Sequence, residues 1–111
     1  MAQQRLEYHQ IIRTHLRTAY LLPEEKIDSV LPRFLDSLQN LMLNLERVAE
    51  TETEEALGRA GHAIKGALLN LGLRELAAIA FLLEKNGRSA DLQRDSAELI
   101  ANLKAEISKI T

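Results

Sequence analysis

The chain has 111 residues, the length of one domain, and its 14 basic and 16 acidic side chains leave a net charge of −2. A chain of this size buries roughly two thirds of its unfolded surface and needs no staples, and the absence of cysteine excludes disulfides and thiolate metal sites. The charge balance argues against general attraction to nucleic acid or membranes, and the four aromatic residues are too few for a base-stacking platform.

Leu, Ala, Glu, Lys, Arg and Gln dominate while glycine and proline are scarce, which predicts an all-α fold. A first helix is expected over about Gln3 to Tyr20, with Leu6, Ile12, Leu16 and Ala19 on one stripe. His9 and His15 on it project about 120° apart, too far round to share a metal easily. They read as surface residues, and Arg5, Arg13 and Arg17 as solvated charges. Pro23, Glu24 and Glu25 suit the start of a second helix. Its stripe of Ile27, Val30, Leu31, Phe34, Leu35, Leu38, Leu41, Met42, Leu45 and Val48 runs past Pro32, which should kink or restart it. Thr51 and Thr53 followed by Glu54 and Glu55 mark the start of a third helix that closes at Gly72. A fourth is expected from Leu73 to Lys85, stopping near Asn86 and Gly87. A fifth, from about Asp91 to Ile110, carries Leu92, Leu99, Leu103, Ile107 and Ile110. Short connections predict an up-down antiparallel four-helix bundle with an additional N-terminal helix. The division expected is 1–21 for that helix, as a cap or interaction element, and 22–111 for the bundle.

The third helix has a histidine on its outer side. Leu57, Ala60, Ile64, Ala67, Leu68 and Leu71 form its core stripe, and His62 lies about 160° from Ile64. Glu55, Gly58, Arg59, Gly66 and Leu69 project beside it. Gly58 and Gly66, one turn to either side, each weaken the helix by about 1 kcal/mol relative to alanine, and the expected return is access to the imidazole. Lys65 is three residues on, where its ammonium can reach phosphoryl oxygens held on His62. Across the Gly72 turn, Glu84 falls at nearly the same height as His62 on an antiparallel neighbour. A carboxylate there can accept the Nδ1 hydrogen and leave Nε2 as a nucleophile.

The run His62-Ala63-Ile64-Lys65-Gly66, with Asn70-Leu71-Gly72, Leu76 and Leu83-Glu84 after it, resembles the signature of histidine-containing phosphotransfer (Hpt) domains. Leu22-Pro23-Glu24-Glu25 and the helix bearing Phe34 resemble the start of that domain, so the likeness covers Leu22 to the C-terminus. It implies that His62 is phosphorylated on its outward nitrogen, that Lys65 pairs with the phosphoryl oxygens, and that Gly66 keeps the site open. Glu84 stands where a Gln or Glu often holds the histidine, and Arg88 where some members have an arginine near the docking surface. Ala67 replaces a frequent serine on the core side, and the helix before Leu22 lies outside the shared pattern.

The implied function is a stoichiometric phosphocarrier of a two-component phosphorelay and not an enzyme, since the sequence has no Walker loop or kinase nucleotide region. Its partners would be response-regulator receiver domains or a hybrid histidine kinase. No cofactor is expected on this chain, magnesium belonging to the receiver. Gly58, Arg59, Leu69, Lys85 and Arg88 are the candidate docking residues, and a cytoplasmic monomer is expected. The alternatives are an unphosphorylated helical adaptor and the N-terminal phosphorylated domain of a chemotaxis-type kinase.

Overall fold

The computed structural model describes residues 2–51, 53–88 and 95–111, with the side chains of Ala2 and Arg88 outside that description. The described residues form five helices: α1 (Ala2–Ala19), α2 (Glu24–Thr51), α3 (Glu54–Asn70), α4 (Arg74–Arg88) and α5 (Ser96–Ile110). α2 packs on α3, α3 on α4, α4 on α5, and α5 back on α2, so that the four make a ring; α1 lies against α5 and α2. The core inside this ring is aliphatic, with Ile27, Leu38, Leu45, Ile64, Leu68, Leu83, Leu99 and Leu103 fully buried. The three-four spacing of leucine and isoleucine thus becomes one continuous apolar interior.

Several boundaries differ from the sequence expectation, each for a local reason. α2 runs unbroken through Pro32, so the proline does not restart it. Thr53 caps α3 by accepting from the Ala56 amide at 3.2 Å, whereas the Thr51 hydroxyl donates to the Arg47 carbonyl within α2. α4 continues through Asn86 and Gly87 to Arg88. α5 begins at Ser96, because the Asp95 carboxylate accepts from the Ala97 amide and fixes the helix start there. Asp91 and Leu92, expected on that helix, lie outside the described residues.

The third helix ends as expected. Gly72 adopts φ +78°, its amide donates to the Leu69 carbonyl, and the Leu73 amide reaches back to Leu68. These are the two bonds of a Schellman closure, with Leu68 and Leu73 both buried beside it.

The N-terminal helix is tied into the bundle more firmly than its polar sequence suggests. Ile12 and Leu16 are buried, but Leu6 and Ala19 are exposed. Leu6 sits about 120° round the helix from Ile12, and Tyr8 takes its place against α5. Tyr8 donates to Glu106 at 2.5 Å, and His9 Nε2 donates to the Ile110 carbonyl at 2.9 Å. His15 packs over Gly72, where any Cβ would come within 2.6 Å of it. Both histidines are therefore half-buried packing residues and not free surface groups. Arg13 reaches Glu24 and Asp28, and Arg17 reaches Glu24, so these two arginines pair at the surface with the acidic start of α2. Phe34 is partly exposed and lines an apolar groove with Leu16, Tyr20, Leu22 and Leu71, where α1 turns into α2.

Candidate functional site

The α3 and α4 backbones approach unusually closely because small residues line their contact. Gly58 is buried, and a Cβ on it would stand 3.1 Å from Gly87 Cα and 3.3 Å from the Glu84 carbonyl oxygen. On Gly61 a Cβ would be 3.0 Å from the Glu84 amide and 3.2 Å from the Ala80 carbonyl oxygen. From the other side, a Cβ on Gly87 would run into Gly58 and come within 2.6 Å of the Glu54 carbonyl oxygen. Gly58 was expected to clear the outer face for a visitor. Its lost side chain instead lets α4 settle against α3, which overturns that reason for it. At Gly66, by contrast, a Cβ would meet nothing within 4 Å.

The close approach brings Glu84 under His62. Glu84 is almost wholly buried, whereas 63% of the His62 side chain is exposed. Glu84 Oε1 lies 3.1 Å from His62 Nδ1 and 2.7 Å from Lys65 Nζ. A carboxylate beside an ammonium can only accept, so the histidine proton belongs on Nδ1. The lone pair is then on Nε2, on the ring edge turned away from Glu84. A buried carboxylate requires compensation, and here one oxygen is shared between a cation and an N–H donor. The His62 ring, the Glu84 carboxylate and the Lys65 ammonium thus meet around a single oxygen atom.

Other expected residues fall around this centre. Gly58, Arg59 and His62 line an open groove of about 620 Å³ with Glu55 and Gly87. Leu69 is 46% exposed, two turns beyond His62 on the same helix. Lys85 is exposed on α4, with its ammonium 5.3 Å from the centroid of the Phe81 ring. Arg88 closes α4, but its side chain lies outside the described residues. Among the described residues, no group of three His, Asp or Glu side chains is placed to hold a metal ion.

Sequence reasoning missed Phe81 and Gly87. Phe81 lies off the buried α4 stripe of Leu76, Ala77, Ala80 and Leu83, three residues before Glu84 and four before Lys85, and that helical spacing was the available signal. Gly87 reads naturally as a helix stop, and nothing local marks it as a contact point.

A family model described as Hpt domain matches residues 29–110. No curated protein and no solved structure matches the chain.

Proposed function

The chain belongs to the Hpt domain family, and on that premise we propose that His62 accepts a phosphoryl group from the aspartate of one receiver domain and passes it to another. Membership places the chain in two-component phosphotransfer signalling, a family of carriers rather than enzymes. The observation that carries the assignment to His62 is its exposed ring with Nδ1 held 3.1 Å from the buried Glu84.

In the step, the Nε2 lone pair attacks the phosphorus of the receiver's acyl phosphate. An N–P bond forms, the P–O bond to the aspartate breaks, and the aspartate leaves as a carboxylate. Donation of the lone pair leaves positive charge on the imidazole ring, and Glu84 is placed to stabilise it through the Nδ1 hydrogen. Lys65 is close enough to turn from Glu84 to a phosphoryl oxygen, and Gly66 leaves that side of His62 open. Phosphoryl transfer depends on positioning and charge neutralisation, which these residues supply; magnesium and the acidic pocket come with the receiver. The reverse reaction delivers the group onward, so the chain needs no cofactor of its own and acts stoichiometrically.

The groove through Gly58 and Arg59, with Leu69, Lys85 and Arg88 around it, is the proposed receiver-docking face. The ring of contacts and the short links support reading residues 22–111 as an up-down antiparallel four-helix bundle, with residues 1–21 laid against its α2 and α5 edge. No described helix is long and apolar enough to cross a membrane. A cytoplasmic monomer exchanging with receivers or a hybrid kinase completes the reading.

The test is to mix the protein with receivers charged by a small-molecule phosphodonor and to look for acid-labile phosphate on the parent and on His62→Gln. Label on the parent alone is expected. Absence of label across a broad receiver panel would favour the unphosphorylated adaptor.

A further inference from the structure

Phe81 is a large apolar side chain that 43% exposure leaves at the surface. Its ring is flanked by two ammonium groups. Lys65 Nζ is 5.1 Å from its centroid and Lys85 Nζ 5.3 Å. These lysines come from different helices, and Lys65 is also the cation bonded to Glu84 Oε1. The negative face of an aromatic ring attracts a cation within about 6 Å without giving it a hydrogen bond. An ammonium held this way keeps all three N–H donors available, whereas a bond to one carboxylate oxygen commits one of them.

We propose that Phe81 is a positioning residue for phosphoryl transfer: its ring holds Lys65 beside His62 while the ammonium exchanges Glu84 for the arriving phosphoryl group. The inference rests on the carrier reading above. In the resting protein Lys65 compensates the buried Glu84 carboxylate. Once Nε2 is phosphorylated, the cationic imidazole makes its own demand on Glu84, and the phosphoryl oxygens make one on Lys65. The two charges therefore re-pair, and Lys65 moves only from one oxygen to another while staying near the same ring. Lys85, on the ring's other cation contact, adds a second positive charge to the field that the phosphoryl group enters.

Three variants separate the ring's electrostatics from its bulk. Phe81→Leu keeps apolar volume without the π face, Phe81→Tyr keeps both, and Phe81→Ala removes both. Phe81 is partly exposed, and circular-dichroism melting checks that each variant folds. Proton NMR reads the geometry directly, because a ring above an ammonium shifts the neighbouring Hε signals of Lys65 and Lys85 upfield. Those shifts are expected in the parent and in Phe81→Tyr, and lost in Phe81→Leu. Transfer from a charged receiver to His62 is expected to slow about two- to fivefold in Phe81→Leu and Phe81→Ala, and to recover in Phe81→Tyr. Equal rates in the parent and Phe81→Leu would overturn the proposal, as would equal slowing in Phe81→Tyr and Phe81→Leu, which would mark a packing contact. A parent that takes no label from any charged receiver would instead sink the carrier reading, and the role of Phe81 in transfer with it.

Discussion

Replacing glycine by alanine in a helix removes backbone freedom from the unfolded chain and is worth about 1 kcal/mol where the new methyl group meets nothing. Gly66 is such a position, because a Cβ would find no atom within 4 Å. Gly66→Ala should therefore stabilise the protein by about 1 kcal/mol and raise its melting temperature by roughly 4 °C for a domain of this size. Gly87→Ala places the same methyl group against the Gly58 backbone and within 2.6 Å of the Glu54 carbonyl oxygen. Backbone atoms of a packed helix cannot swing aside, so α3 and α4 must separate, at a net cost of about 2 kcal/mol. One substitution type should thus move the urea midpoint in opposite directions at two sites, with the m value unchanged. Function should follow a different order. Gly66→Ala, though more stable, should accept phosphoryl groups about tenfold more slowly because a receiver must approach across that methyl, a small steric displacement being costly in transfer geometry. Stabilisation by Gly87→Ala would refute the close-approach argument. A Gly66→Ala protein that transfers at the parent rate would show that the open face is not used.

Glu84→Gln keeps an acceptor for the His62 Nδ1 hydrogen but removes the charge that binds Lys65 and faces the imidazolium; transfer should slow about tenfold, the difference between a charge-assisted and a neutral hydrogen bond, as read by label uptake. Glu106 has its carboxyl held below the ordinary range, first by the hydrogen bond from Lys109 and then by that from Tyr8. A depressed folded value means that its stabilising contribution is complete above the unfolded value and is lost as pH falls through the folded one. Urea midpoints measured from pH 7 downward should therefore decline less steeply in Glu106→Gln than in the parent below about pH 4.5. Leu21 has φ +56° and is 81% exposed, so it holds a left-handed conformation without a packing return. Leu21→Asn should stabilise the link between α1 and α2 by about 1 kcal/mol, measurable in the same unfolding titration.

The helices and the outward face of His62 were legible because both follow from one period. Counting about 100° per residue from the aliphatic stripe put His62 opposite Ile64, and the structure leaves that ring exposed above a fully buried Ile64. Similar residue counts either side of Gly72 likewise put Glu84 at nearly the height of His62, since two helices joined by a tight turn share a height scale. Misplacements began where a residue's environment depended on a distant partner. Arg13 and Arg17 stay solvated but find partners in Glu24 and Asp28 that their own helix does not show, and His9 looked exposed until the Ile110 carbonyl met it.

Gly58 shows the difficulty most sharply. On its own helix it projects beside His62, so a one-helix argument assigns it to access for a visitor. The atoms that explain it are the Glu84 carbonyl and the Gly87 Cα, nearly thirty residues away in the chain. Gly87 was in turn read as a helix end, since a glycine near asparagine ordinarily marks one. Each residue was interpretable only with the other in view, because a close crossing needs space cleared on both backbones at the same level. The two glycines, with Gly61, determine how far the α4 backbone stands from α3. That distance decides whether Glu84 reaches His62 at all. The chemistry of the exposed imidazole is thus set partly from beneath, by side chains that are missing from the helix contact.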